Sequence, residues 1–148
     1  APAAPNATRS IEGGLLSYAS DITREDCPYT VDLGRLVDVD QETNFVGKEA
    51  LAKIKETGPT RKLVGIFIDG DAITAPPEQR WSVTNDGEKM GYVSRCIYSP
   101  RVKRNIGFAN VPTELSTIGT SLTVKGPAGN LTATVCEFPW IPAERIAR

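Results

Sequence analysis

The sequence contains no histidine. That excludes a Ser-His-Asp triad, a Cys-His pair, a His-ligated zinc and any imidazole acid or base. Cysteine is scarce and dispersed. Cys27, Cys96 and Cys136 form no C-x-x-C pair, which speaks against a zinc site and against a disulfide framework. Three reduced, buried thiols in a cytoplasmic protein are the expectation; one bridge with a thiol left over is the alternative. No apolar run approaches the roughly 18–20 residues of a membrane-spanning helix. The glycines form neither G-x-G-x-x-G nor G-K-S/T, so a nucleotide-binding fold has no support. An excess of either charge is also missing, since 17 Lys and Arg stand against 18 Asp and Glu for a net charge of -1. A surface that is wholly a nucleic-acid or membrane footprint is thereby excluded, while a local patch is not.

What is present fits one globular domain. The chain has 148 residues, 40% apolar and 24% charged, and a domain of this size buries roughly 70% of its unfolded surface without a metal or disulfide staple. It starts at Ala1 with neither a Met nor a signal-peptide apolar stretch, and the expectation is a piece of a longer protein. Residues 1–8, rich in Pro and Ala, read as a disordered lead-in, and 143–148 as a tail. Asn6-Ala7-Thr8 and Asn130-Leu131-Thr132 match the glycosylation pattern, a three-residue pattern common by chance.

Along the chain, Ser10 to Ser20 reads as a helix capped by Ser10, with Ile11, Leu15 and Tyr18 on one face. Gly13-Gly14 costs such a helix about 1 kcal/mol per glycine and implies a close backbone approach. Lys48 to Glu56 reads as a helix with Ala50, Leu51 and Ile54 apolar and a Glu49–Lys53 pair, stopped by Gly58-Pro59. After residue 60 the pattern changes. Lys62 to Ile68, Trp81 to Val83, Lys89 to Ile97, Asn105 to Asn110, Ser121 to Lys125 and Asn130 to Phe138 read as strands, with turns at Asn85-Asp86-Gly87 and Gly126-Pro127-Ala128-Gly129. The fold class expected is α+β: a helical or mixed N-terminal segment followed by a small antiparallel barrel or sandwich.

Few residues invite chemistry. Arg101-Val102-Lys103-Arg104 is the densest basic cluster, beside Tyr98 and Phe108. It could hold an anion or a single strand, although a solvated strand connection is the commoner use. Glu12 and Asp21 are carboxylates whose spacing points to caps and ion pairs more than to acid–base work. Trp140 reads as core closure, and Trp81 likewise. Cys96 beside Arg95 could have a lowered pKa, but without a base or second thiol it reads as buried and inert.

Several strings, taken in order, resemble the folate-dependent aminomethyltransferases, the T-protein family of the glycine cleavage system. They are Ile11-Glu12-Gly13-Gly14-Leu15-Leu16-Ser17-Tyr18 with Asp21 and Pro28, then Phe45-Val46-Gly47-Lys48 with Ala50-Leu51, then Arg61-Lys62-Leu63-Val64-Gly65. Gly91-Tyr92-Val93-Ser94, Ser99-Pro100, Asn105-Ile106 and Pro139-Trp140-Ile141 follow. Two positions depart from the T-protein pattern: Thr30 stands where a Glu is usual, and Ser94-Arg95-Cys96 where Thr-Ser-Gly is usual. The Glu-Gly-Gly-Leu-Leu-Ser-Tyr string is closer to the demethylase branch, which includes dimethylsulfoniopropionate and aryl-methyl-ether demethylases.

The resemblance implies that residues 9–60 end the central T-protein-like domain and that 61–142 form the C-terminal β-barrel. It also implies a parent more than twice this length that passes a methyl or aminomethyl group from a small-molecule donor to tetrahydrofolate. The missing N-terminal half would be the partner of this piece and would carry most of the pterin pocket, leaving the piece inactive alone. No residue here is assigned to catalysis. Tyr18 and Tyr98 are expected to face the folate, and Arg101 or Arg145 to meet its carboxylates. The alternative is a non-catalytic module whose basic loop binds an anionic ligand or nucleic acid, against which the near-zero net charge counts.

Overall fold

The β-branched runs after residue 60 become six strands, and in the computed structural model, which describes residues 6–141, they close on themselves. They are β1 (Arg61–Ile68), β2 (Trp81–Asn85), β3 (Glu88–Ser99), β4 (Arg104–Pro112), β5 (Ser121–Gly126) and β6 (Gly129–Cys136). The order around the barrel is β1-β4-β3-β2-β5-β6, all neighbours are antiparallel, and β6 returns to β1 through Gly65–Ile68. The choice between barrel and sandwich is thus settled as a barrel, and closure leaves no sheet edge to template further strands.

Alternation sorts the side chains. Val64, Ile66, Ile68, Val83, Val93, Cys96, Val111, Val124 and Val135 fill the interior, each valine and isoleucine contributing about 1.5–3 kcal/mol by leaving water. The opposite parity of β1, β3 and β4 is also apolar: Leu63, Ile97, Ile106 and Phe108 point outward yet are buried. The cover is the N-terminal segment through Ile11 and Val31, together with Phe138 and Trp140 after β6. The Phe108 ring lies 5.3 Å from each of those two aromatic rings, so Trp140 closes a core as read from sequence.

The first helix is shorter and earlier than the expected Ser10–Ser20. Helix α1 spans Ala7–Glu12, capped by the Asn6 side chain, which accepts the Thr8 N–H at 2.9 Å. It stops because Gly14 turns left-handed at φ +68°. The close approach implied by Gly13-Gly14 is there: a Cβ on Gly14 would lie 3.2 Å from Pro139 and 3.3 Å from Phe138. Helix α2 spans Lys48–Thr57 and ends at Gly58, as expected. Its apolar positions are not buried, however, and its ion pair is Lys55 to Asp40 at 2.9 Å rather than Glu49 to Lys53. Among the described residues no helix is long and apolar enough to cross a membrane.

Candidate functional site

The polar chemistry of the chain collects where the N-terminal segment lies against the outer face of β3. Two carboxylates are buried there, Glu12 at 2% exposure and Asp21 at 1%. A buried carboxylate is costly unless hydrogen-bonded and paired, and both are. Ser99 at the end of β3 donates its hydroxyl to Glu12 Oε1 at 2.5 Å and accepts the Val102 N–H at 3.1 Å. Arg101 Nη1 lies 3.6 Å from Glu12 Oε2. Ser94 donates to Asp21 Oδ1 at 2.5 Å, the Ser17 N–H donates to Oδ2 at 2.8 Å, and Arg95 Nη2 pairs with Oδ2 at 2.5 Å.

A strand irregularity makes the second cluster. The β3–β4 register steps from Val93↔Ala109 to Arg95↔Phe108, leaving Ser94 as the extra residue of a bulge. In a regular strand Ser94 and Arg95 would face opposite ways; the bulge lets both reach Asp21. Arg95 further donates to the Leu15 carbonyl at 2.7 Å and the Ser10 hydroxyl at 3.2 Å. Cys96, the next residue, returns to the barrel interior, where burial pushes its thiol up to about 12. Proximity in sequence to Arg95 therefore gives no reactive thiolate. Cys136 is also raised by burial, and its sulfur accepts the Trp140 indole N–H at 3.2 Å. All three cysteines are free.

This arrangement holds rather than reacts. Both carboxylates and both serine hydroxyls spend their bonds on one another, away from solvent. Among the described residues no group of three or more Cys, Asp or Glu is placed to hold a metal.

The residues assigned to ligand by resemblance are not gathered in one place. Tyr18 is 67% exposed on the loop after α1. Tyr98 pairs with Asn105, on the inward parity shared with Cys96 and opposite to Ser99, and is half-buried at one end of the barrel. Arg101 is exposed beside Glu12. Arg145 lies outside the described residues. Of the basic cluster, Arg101 is engaged with Glu12, and Arg104 stacks 4.0 Å over Phe67 and reaches Asp69 at 3.5 Å. The anchoring roles of Ser94, Arg95 and Ser99 were not readable from spacing; the one sign in the sequence was Ser94-Arg95-Cys96 standing where Thr-Ser-Gly is usual.

Two open clefts mark the surface. One of about 530 Å³ lies at the β1–β6 seam under Tyr29 and Arg35; one of about 800 Å³ lies between the 71–82 segment and the β5–β6 turn. Neither includes Tyr18, Tyr98 or Arg101.

Comparison with known proteins gives a consistent result. Residues 61–141 match the family described as glycine cleavage T-protein C-terminal barrel domain. The dimethylsulfoniopropionate demethylase DmdA of Ruegeria pomeroyi is 34% identical over 136 residues, which is 92% of this chain and 36% of that protein. An aminomethyltransferase of Symbiobacterium thermophilum is 37% identical over 133 residues, 90% of this chain and 35% of that protein. The crystal structure of glycine cleavage system aminomethyltransferase T from Bartonella henselae superimposes with a TM-score of 0.81 at 20% identity, covering 91% of this chain and 37% of that one. The chain thus spans about a third of the length of the relatives it matches, and its likeness to the solved structure is one of fold.

Proposed function

The chain belongs to the glycine cleavage T-protein C-terminal barrel family, and from that premise we propose that it is the closing domain of a tetrahydrofolate-dependent one-carbon transferase. The observation that carries this reading is the barrel match over residues 61–141, joined to a similarity that reaches back through the N-terminal segment to cover 92% of the chain. Transfer between two bound substrates asks for orientation and exclusion of water more than for a covalent nucleophile. A chain without histidine, with a neutral buried thiol and with both buried carboxylates committed is consistent with that demand.

Tetrahydrofolate, when bound, supplies the nitrogen that receives the one-carbon unit. The residues present suit its anionic tail better than its ring. Arg101 is a cation with an exposed side chain, steadied by the Glu12 carboxylate on one side, and can meet a glutamyl carboxylate. Neither cleft brings Arg101, Tyr18 or Tyr98 around a flat pterin, so the ring is assigned to the part of the enzyme that this chain does not span. Tyr18, on the loop after α1, Tyr98, at the barrel end, and Arg145 remain assigned to the ligand by resemblance alone. On this reading the chain has no turnover by itself. The donor is a methylated small molecule, as in the demethylase branch, on the strength of the Glu12-Gly13-Gly14 string and the Ser94-Arg95-Cys96 departure.

The test combines the purified chain with the N-terminal part of the Ruegeria demethylase, meaning the portion outside the match. Tetrahydrofolate binding is followed, then methyl transfer from a sulfonium donor beside aminomethyl transfer. Folate binding by the pair but not by the chain alone is expected. Arg101→Ala should weaken it about tenfold, the cost of one charge-assisted hydrogen bond. Turnover by the chain alone, or a folded pair that binds no folate, overturns the reading.

A further inference from the structure

We propose that the open end of the barrel, between the β1–β2 connection and the β5–β6 turn, is a binding site for a small planar monocarboxylate. Trp81 is its wall and Lys125 its counter-charge. The site is built by the barrel alone and is independent of the folate reading.

Topology creates the opening. In the order β1-β4-β3-β2-β5-β6, strands β1 and β2 lie across the barrel from one another. Residues 69–80 therefore have to cross the barrel end to join them, and this crossing is pinned at both ends. The buried Asn105 side chain donates to the carbonyls of Ile68 at 3.2 Å and Asp71 at 3.0 Å, and accepts the Ile73 N–H at 2.9 Å. The Ile73 carbonyl accepts the Tyr98 N–H at 2.8 Å. At the other end Arg80 donates to the carbonyls of Ser20 at 2.9 Å and Ala19 at 3.3 Å, while its guanidinium lies 4.3 Å over the Tyr92 ring. Between these anchors the backbone from Thr74 to Gln79 makes no hydrogen bond to other backbone among the described residues, and Pro76-Pro77 stiffens it instead. The crossing is a strap over the barrel mouth, fixed at two points.

Beside the strap lies the cleft of about 800 Å³. That is within the range of small-molecule sites, which favour barrel mouths. Its floor is apolar: Ile73, Trp81 and Leu131 pack down on the barrel core while staying only partly buried. Gly126 stands on β5 at the inward parity of Leu122 and Val124. A Cβ there would lie 3.2 Å from Leu131 and 3.7 Å from Trp81. Its absence lets the indole and the leucine lie side by side and leaves the mouth unfilled. Pro77 and Pro127 border this floor. An indole surface edged by prolines suits a flat, apolar body.

The polar groups choose the charge. Lys125, opposite Ser82 in the β2–β5 register, lines the cleft and has no carboxylate partner among the described residues. It is the one charge on the strand positions beneath the strap. The indole hydrogen bond found among the described residues is that of Trp140, so the Trp81 N–H is unspent. Nor is it one of the buried polar atoms left without a partner, which are Tyr29 Oη and Arg95 Nε; it is open to a ligand. An indole N–H donates and cannot accept, so this wall asks for an acceptor. Asp71 and Glu78 also line the cleft, but both are exposed on the strap, where water serves them. Arg80 is already spent on two carbonyls and a ring. A carboxylate on a flat body meets these demands: the body lies on the indole and the oxygens take the donors at its edge.

The probe is 2-naphthoate, titrated into the 148-residue chain beside 2-naphthylmethylamine and 2-naphthalenemethanol, with both indole N–H signals followed by heteronuclear NMR. Naphthoate should shift the Trp81 signal saturably and leave that of Trp140 in place. The alcohol should bind more weakly, and the amine more weakly still. Lys125→Gln should weaken naphthoate about fivefold, as for an ion pair at an exposed rim, and leave the alcohol unchanged. Gly126→Val fills the mouth and should abolish binding of all three. Lys125 is on the surface, so its variant keeps the test decisive where Gly126→Val lowers the unfolding midpoint. An amine that binds as tightly as naphthoate overturns the proposal. So does a Lys125→Gln variant that binds naphthoate as wild type does, a shift confined to Trp140, or the absence of any saturable shift.

Discussion

Ser94 donates its hydroxyl to Asp21 across 73 positions of sequence at 2.5 Å, and the bond exists because Ser94 is the extra residue of a bulge. That contact, with Arg95 on the other carboxylate oxygen, clamps the N-terminal segment to the barrel. Asp21→Asn keeps the shape and removes the charge, leaving a largely buried arginine unpaired. A loss of about 3 kcal/mol is expected, read as a lower urea midpoint at unchanged slope. Asp40→Asn breaks the exposed pair with Lys55 and should leave the midpoint where it is.

Stability should fall in alkali because of Cys96. Its thiol is pushed up to about 12 in the fold, against 9.0 for a free thiol. Below pH 9 neither state ionises and the contribution is whole. Between pH 9 and 12 the unfolded chain loses the proton while the folded one keeps it, so stability drops by up to about 1.4 kcal/mol per pH unit. Urea midpoints at pH 8 and pH 10 measure this, and the difference should shrink in Cys96→Ala. Native Cys96 should also resist alkylation at pH 8.

Gly91 and Gly87 should respond differently to alanine. A Cβ on Gly91 would collide with the Asn110 carbonyl oxygen in the neighbouring strand, and the backbone must move. Overpacking of this kind costs about 1–3 kcal/mol or more. Gly87 meets nothing, but its φ of +86° in the β2–β3 turn strains any side chain, for roughly 1 kcal/mol. Thermal unfolding of the two variants should rank them in that order.

Trp140→Ala opens a gap beside Phe108 and strips the indole donor from Cys136. Because Trp140 is only partly buried, a loss of about 3 kcal/mol is expected, at the low end for large aromatic residues. Denaturant unfolding followed by far-UV circular dichroism checks it, since the loss of Trp140 removes a fluorescence probe.

The barrel was largely legible. β-branched runs and glycine turns place all six strands, β1 from Lys62 to Ile68 within one residue of its observed start. Local pattern says less about what lies outside the barrel. Gly13-Gly14 announced a close approach but not that Phe138 and Pro139, more than a hundred residues on, would make it. Ser10 looked like a cap, whereas Asn6 is the cap and the helix ends where Ser10–Ser20 was expected to continue. The partners of Glu12 and Asp21 were hidden for the same reason. A buried carboxylate finds its donors across the fold, and a bulge at Ser94 reverses the facing that simple alternation would assign.

Ile141 donates its N–H to the Glu12 carbonyl at 3.0 Å, joining the stretch after β6 to the end of α1. The stretch after the last strand and the end of the first helix therefore meet on the outer face of the barrel. Loosening either one costs the other its partner, so the amides of the first helix and of the stretch after the last strand should lose protection from exchange together.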